Sequence, residues 1–328
     1  MLENFYQEAE NCINRSVKVL IISHRKPDPD TLGSALALKI WLNGLGKRAT
    51  VACVDVPDEG LSFLPHVNEY IQEFELADYD LVIIVDSGAS YMTNFHLKYP
   101  NFFKTDIPII NIDHHASNDN FGLLNIVDSA AASTTVILYR FFKYLGVELD
   151  ADMATCLLAG IYGDTGGFMH SNTDKEVYAI SADLMKKSAD VTAITKALFK
   201  SKSLETLKLW GKVLENVHVT DDRVVISAVK DADYEQVGAS PEHLSGVVDY
   251  LNMVPNTKFA VLLNEDRKGN VKGSFRTREV DVDLSRIAAV FGGGGHSKAS
   301  GFMLTGKIQE NLRYSLLAPD ESKKLLEF

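Results

Sequence analysis

The sequence predicts an α/β protein, with an N-terminal parallel-sheet domain followed by a smaller C-terminal mixed α/β domain. Three observations carry this. Over roughly the first 190 residues, strand-like and helix-like segments alternate, the order a parallel sheet covered by helices on both faces requires. The strand candidates are continuous apolar runs, as strands covered on both sides must be. Beyond residue 217 the texture changes to β-branched strands between short helices.

The strand candidates of the first domain are Val17–Ser23, Thr50–Val54, Leu81–Val85 and Pro108–Ile112. Its helix candidates are Leu2–Asn14, Thr31–Leu45, Thr134–Leu145, Asp152–Gly160 and Asp174–Lys187. Residues 191–217 read as a helical connector, with Lys186, Lys187, Lys196, Lys200 and Lys202 in or beside its first half. After it, 223–229, 258–265 and 270–278 read as strands, and Pro241–Leu251 and Asp283–Phe291 as helices. The expected organisation is therefore 1–190, a linker 191–217, and 218–328, with the tail 318–328 as a surface element.

Composition narrows the function. The 328 residues are 46% hydrophobic and 23% charged, enough for two sizeable cores. No apolar run approaches the ~20 residues of a membrane span, and the acidic, amphipathic start does not read as a signal peptide. Cys12, Cys53 and Cys156 are too few and too scattered for a metal finger, and read as buried thiols of a reducing cytoplasm. The net charge of −11 argues against a broad surface for long nucleic acid. An anionic substrate is then small, or held by a local patch.

One stretch is chemically unusual. Immediately after the apolar run 17–22, "SHRKPDPDTLGS" places His24, Asp28 and Asp30 within seven residues. Carboxylates that close repel one another unless a positive charge sits between them. Pro27 and Pro29 bias Lys26 and Asp28 toward extended backbone, so the turn is expected to be stiff. Two other apolar strands also run directly into such residues. "LVIIVD" ends in Asp86, and "PIINIDHH" in Asp113, His114 and His115. Ligand sites in open parallel sheets lie outside the carboxyl ends of the strands, so these groups are expected on one edge. "AGIYGDTGGF" adds Asp164, among glycines that permit close backbone approach. Singly, each has a structural explanation: Asp30 a helix cap, Asp86 a turn former, His114 a core histidine. Jointly, four segments deliver ligand-type residues to one place.

The set His24, Asp28, Asp30, Asp86, His114 and Asp164 is too large for one cation with an open position. It suits two divalent ions sharing a carboxylate. Manganese fits mixed imidazole and carboxylate best, with Mg2+, Fe2+ or Co2+ as alternatives, and the lack of thiolate argues against structural zinc.

With Asp113-His114-His115 and the His24…Asp28-x-Asp30 stretch in hand, the sequence resembles the DHH phosphoesterase superfamily. "GSFRTR" (273–278) followed by "FGGGGHSKASGF" (291–302) resembles its DHH-associated domain with the GGGH signature. Domain order and length are most similar to the nanoRNase/pAp-phosphatase branch. The resemblance implies one metal at His24, Asp28 and Asp86, and a second at Asp30, Asp86, His114 and Asp164, with Asp86 bridging. It implies that His115 faces the scissile phosphate and that Asp113 orients the histidine pair from behind. Two departures are visible: Pro29 stands where the family usually has Gly, and Ser300 replaces one of two alanines after the GGGH segment.

The implied function is hydrolysis of short nucleotides, such as linear oligoribonucleotides or 3′-phosphoadenosine 5′-phosphate, by a hydroxide activated by two metals. The strip Arg267, Lys268, Lys272, Arg276 and Arg278 carries no acid, and reads as an anion-binding surface. Gly293, Gly294 and Gly295 would offer backbone N–H groups to phosphate, with His296 and Lys298 as further donors and Arg276 as a bidentate one. A clamp of this kind, across a cleft from the metals, would select short substrates. The expected partners are a short nucleotide and a second copy in a homodimer, with no long duplex and no membrane. Competing readings are a cyclic-dinucleotide phosphodiesterase, an inorganic pyrophosphatase, a processive exonuclease and a non-catalytic nucleotide sensor.

Overall fold

The structure, a computed structural model, describes residues 2–199, 202–309, 315–317 and 324–327. The chain divides into two units, Met1–Ser201 and Lys202–Phe328. Lys200, and the tail 318–328 apart from 324–327, lie outside the described residues.

The apolar runs of the first unit form six strands: β1 (Lys18–Ile22), β2 (Arg48–Ala52), β3 (Tyr70–Ile71), β4 (Leu81–Val85), β5 (Ile109–Asp113) and β6 (Leu124–Val127). All pair in parallel, in the spatial order β3-β2-β1-β4-β5-β6. The direction of winding reverses between β1 and β4, so the crevice for a ligand opens where those two strands end. The two-residue β3 is too short to show in sequence. β6 is only four residues long, and its alternating burial gives a weaker pattern than the fully buried strands.

The helices are α1 (Leu2–Arg15), α2 (Pro29–Gly44), α3 (Phe95–Lys98), α4 (Thr134–Tyr144), α5 (Ala151–Asp164), α6 (Lys175–Lys186) and α7 (Val191–Phe199). Side chains alternate across each strand. Val19 and Ile21 enter the core shared with α1, α2, α4, α5 and α6, while Leu20 and Ile22 enter the core on the opposite face. That second face is covered by the single-turn α3 and other short turns rather than by long helices. Rings of Phe74, Phe95, Tyr99 and Phe102 close it. Helix α2 is buried from Asp30 to Lys39, as a helix apolar on all sides must be. It lies against α5, and a Cβ at Gly33 would collide with the Cys156 carbonyl oxygen.

The proline turn differs from expectation at one residue. Asp28 is extended (φ −108°, ψ −178°), but Lys26 takes φ +50°. Its N–H donates to Asp55 Oδ2 at 2.8 Å, a bond that holds the left-handed residue against the bias of Pro27. Pro29 occupies the first helical turn, where its missing N–H costs nothing. A residue with positive φ is thus supplied by Lys26, three positions before Pro29.

The second unit contains α8 (Leu204–Glu215), β7 (His218–Val219), β8 (Val224–Val229), α9 (Asp231–Val237), α10 (Val247–Leu251), β9 (Phe259–Glu265), β10 (Asn270–Arg276), α11 (Leu284–Val290), β11 (Gly294–Gly295) and β12 (Ala299–Thr305). Its sheet is mixed, in the order β11-β12-β10-β9-β8-β7, with only β8 and β9 parallel. The stretch 191–217 comprises α7 in the first unit and α8 in the second. The helix read over 241–251 is interrupted by Gly246 at φ +89°, and only 247–251 is α-helical. No helix among the described residues is long and apolar enough to cross a membrane. All three cysteines are free, and Cys53 and Cys156 are buried.

Candidate metal centre

His24 follows β1, and Asp86 follows β4, on the two sides of the winding reversal. His24 Nδ1 lies 2.7 Å from the Arg25 carbonyl. A carbonyl only accepts, so Nδ1 carries the proton there, and Nε2 is the nitrogen turned to the carboxylates. Nε2 stands 3.3 Å from Asp86 Oδ2 and 3.6 Å from Asp28 Oδ2. The second oxygen of Asp28 caps α2, accepting from the N–H groups of Asp30 and Thr31 at 3.0 Å each. The cap is therefore Asp28 rather than Asp30.

Asp86 is buried and left-handed, at φ +53°. Such a residue costs about 1–3 kcal/mol and persists only where its surroundings hold it. Here the Asp86 N–H donates to the Ile112 carbonyl at 2.9 Å, and Thr134 Oγ1 donates to Asp86 Oδ1 at 3.1 Å. His114 Nε2 approaches that same oxygen at 3.6 Å and Asp164 Oδ2 at 3.3 Å, while its Nδ1 faces the Ala131 carbonyl at 3.4 Å. Asp164 closes helix α5.

Asp30 is fully buried. Its Oδ1 accepts from Thr135 N–H (3.0 Å) and Thr135 Oγ1 (2.8 Å), and its Oδ2 from Thr134 N–H (2.7 Å). These donors lie at the N-terminus of α4, where the helix dipole favours an anion. One lone pair of Oδ2 is left over. A Cβ at Gly160 would lie 2.5 Å from Asp30 Oδ1, so only glycine leaves room for this carboxylate.

The donor set fits divalent cations. Three groups have ligand atoms mutually within 4.8 Å: His24, Asp28 and Asp86; Asp30, His114 and Asp164; and Asp86, His114 and His115. Neighbouring ligands at the corners of an octahedron with bonds of about 2.1 Å stand about 3 Å apart, close to the separations seen here. The electrostatics agree. Burial, and then the charges of Asp30, Asp28 and Asp86, push the Asp164 carboxyl well above its ordinary range. Asp30 rises to about 7 through burial and the charge of Asp86. Burial works against a charged His24, yet Asp28 and Asp86 more than offset it and raise it to about 11. A cluster that draws protons this strongly is short of positive charge.

His115 is placed differently from His114. Its Nδ1 lies 2.7 Å from Asp113 Oδ1 and 3.7 Å from Asp86 Oδ1. Burial opposes its charge, but Asp113 and then Asp86 outweigh that and raise it to about 9.

Sequence reasoning missed Thr134 and Thr135. "ASTT" ahead of an apolar run signals a helix start, and Ser133 is indeed the cap. Nothing local in "ASTT" reveals which acid its donors serve.

A family model for the DHH family, N-terminal domain, matches residues 18–161, and one for the DHHA1 domain matches 221–317. A Thermus thermophilus protein named bifunctional oligoribonuclease and PAP phosphatase NrnA is 32% identical over 289 residues, covering 88% of this chain and 84% of that protein. The chain belongs to the DHH family. Another DHH relative, the protein of the same name from Bacillus subtilis, is 28% identical over 86% of this chain and 88% of its own. The crystal structure of an exopolyphosphatase-related protein from Bacteroides fragilis has a TM-score of 0.85 at 25% identity, covering 94% of this chain and 92% of that one.

In the DHHA1 region of this DHH protein, the glycine run is ordered rather than loose. Gly294 and Gly295 form β11 and pair with Gly301 and Ser300. A Cβ at Gly293 would strike the Gly301 carbonyl. Beyond the run, His296 N–H donates to the Ala299 carbonyl at 2.8 Å. Arg276 donates from Nε to Asp249 Oδ1 at 3.1 Å and from Nη1 to the Phe275 carbonyl at 2.9 Å. Lys298, expected as a phosphate donor, is engaged with backbone in this structure. Its ammonium donates to the carbonyls of Glu279 (2.6 Å), Val280 (2.8 Å) and Val282 (2.9 Å), which uses all three protons to hold the turn after β10.

Proposed function

We propose that this DHH protein is a phosphoesterase of short nucleotides, either linear oligoribonucleotides or 3′-phosphoadenosine 5′-phosphate, working with two manganese ions. The observation that carries the reading is the meeting of His24, Asp28, Asp30, Asp86, His114 and Asp164, from separate segments, within one cluster. The names of the Thermus and Bacillus relatives give the substrate class.

His24, Asp28 and Asp86 would hold one cation, and Asp30, Asp86, His114 and Asp164 the other. Bound cations of this kind lower the pKa of a water and neutralise charge on phosphate oxygens. The chain's own residues do the rest. The carbonyls of Arg25 and Ala131 keep Nε2 of His24 and His114 directed inward. Thr134 and Thr135 fix Asp86 and Asp30. His115, oriented by Asp113, would donate a proton from Nε2 to the leaving oxygen. Arg276, the segment Gly293–Gly295 and His296 are assigned to substrate recognition. A homodimer remains part of the proposal on the family resemblance alone, and a cytoplasmic setting on the free, scattered cysteines.

A manganese-supported hydrolysis panel tests this reading. Cleavage of 3′-phosphoadenosine 5′-phosphate, a linear dinucleotide or a five-mer, at rates well above a long RNA, a cyclic dinucleotide and pyrophosphate, is the expected result. Preference for pyrophosphate or the long RNA would overturn the substrate class. Binding without turnover would make the chain a sensor.

A further inference from the structure

We propose that Asn118 is a positioning residue for this chemistry, acting on His115 through Asp113. The inference rests on the phosphoesterase reading and adds to it a residue outside the cation cluster.

Asn118 sits in the turn after β5. Its Oδ1 accepts the Asn120 N–H at 2.8 Å, which sets the amide orientation and turns Nδ2 inward. Nδ2 then meets Asp113 Oδ2 at 2.6 Å and Asn111 Oδ1 at 2.8 Å, with the Ser87 carbonyl at 3.3 Å. Its two protons go to the two short contacts. Asn111 is fully buried in the middle of β5, where an apolar residue is the rule. Its own Nδ2 faces the Ser87 carbonyl at 3.2 Å and the Ile84 carbonyl at 3.4 Å. A buried amide is tolerated there because both of its ends are bonded.

The relay runs Asn111, Asn118, Asp113, His115. Asn118 occupies Oδ2 of Asp113, so the carboxylate presents Oδ1 to His115 Nδ1 in a fixed rotamer. The same network holds the backbone after Asp86: Asp119 N–H donates to the Gly88 carbonyl at 3.0 Å, and a Cβ on Gly88 would lie 3.1 Å from His115 Cβ. Without Asn118, Asp113 is free to rotate and the imidazole loses its fixed direction. In hydrolysis, water supplies the incoming oxygen and the bond from phosphorus to the leaving oxygen breaks. The proton on His115 Nε2 passes to that oxygen, and the proton lost by water goes to solvent, from which His115 is reprotonated. Only a poor leaving group needs that proton, which makes the role separable from a purely structural one.

The test compares the wild-type chain with Asn118→Ala on two esters in the presence of manganese. One is a linear dinucleotide, with a nucleoside leaving group. The other is the p-nitrophenyl ester of a nucleoside 5′-phosphate, whose leaving group departs unprotonated. On the dinucleotide, kcat is expected to fall about 10–100-fold, the usual effect of losing such an outer partner, with KM changed by less than about threefold. On the aryl ester, kcat should change by less than about threefold, and the manganese content should not change. In a His115→Ala background, adding Asn118→Ala should cost less than about twofold, because two residues acting in series are not additive. Asn118→Asp keeps the shape and removes the donor, and should show the same selectivity if the alanine variant does not fold. Equal losses on both esters, or an undiminished effect in the His115→Ala background, would overturn the proposal. If the wild type cleaves both esters and Asn118→Ala matches it, only the role of Asn118 falls. If the wild type cleaves neither, the phosphoesterase reading falls with it.

Discussion

Asp86 stands directly after five apolar residues, a place where an acid is costly to bury and needs a partner. It is indeed buried, at φ +53°, facing both His24 and His114. His24, His114 and Asp164 are legible in the sequence for the same reason, as polar groups at or near the ends of apolar segments, and Asp28 through its closeness to Asp30 in the proline turn. Thr134 and Asn118 are not. Thr134 N–H serves Asp30, 104 positions away, and Asn111, which Asn118 bonds, reads in sequence as an ordinary interruption of β5. The division of labour between adjacent histidines gives a residue-scale prediction. His115→Ala is expected to lower kcat by about 10²–10⁴-fold, the range for a lost general acid. Its cation content should equal that of the wild type by elemental analysis. A variant that loses its cations instead would make His115 a ligand.

At the scale of elements, β4 is legible to the residue, because all five of its side chains are buried and the run is unbroken. The short edge strand β3, and β6 with its alternating burial, carry weaker patterns. The contact of α2 with α5 shows in sequence only as a cluster of glycines. Its tightness yields a prediction: Gly160→Ala forces a methyl group against Asp30 and Thr135. The cost should be about 1–3 kcal/mol of stability, the usual range for overpacking, with weakened cation binding, seen by denaturant unfolding with and without manganese. A second prediction concerns the strap from the turn before β3 to α2. Lys39, and then His66, hold the Glu69 carboxyl at about 2, below its ordinary range. A depressed carboxyl contributes stability above its unfolded pKa, about 4.3, and loses that contribution as pH falls toward 2. Glu69 is half exposed, so screening limits the effect. Glu69→Gln should cost under about 1 kcal/mol at pH 7, and the difference should vanish near pH 2. Urea unfolding of the metal-free protein across this range measures it.

For the whole molecule, two α/β units follow from the change of texture along the chain, because sheet class leaves a broad hydrophobic signature. The pairing of β10 with β12, and the fate of each basic side chain, depend on three-dimensional register. A lysine beside a glycine run therefore reads as a phosphate donor, although Lys298 spends its protons on backbone carbonyls. Arg276 remains a proposed substrate-recognition residue, and its substitution tests that role. Arg276→Ala should raise KM for a short nucleotide about tenfold, as loss of a charge-assisted contact would, and leave the manganese content unchanged. The central claim is that separate segments of the first unit assemble one cage for a pair of cations. Anomalous diffraction from crystals soaked in manganese tests it most directly. Two peaks are expected, one held by His24, Asp28 and Asp86, and the other by Asp30, Asp86, His114 and Asp164, with Asp86 touching both. A cluster without a peak, or a single ion bound elsewhere on the chain, would contradict it.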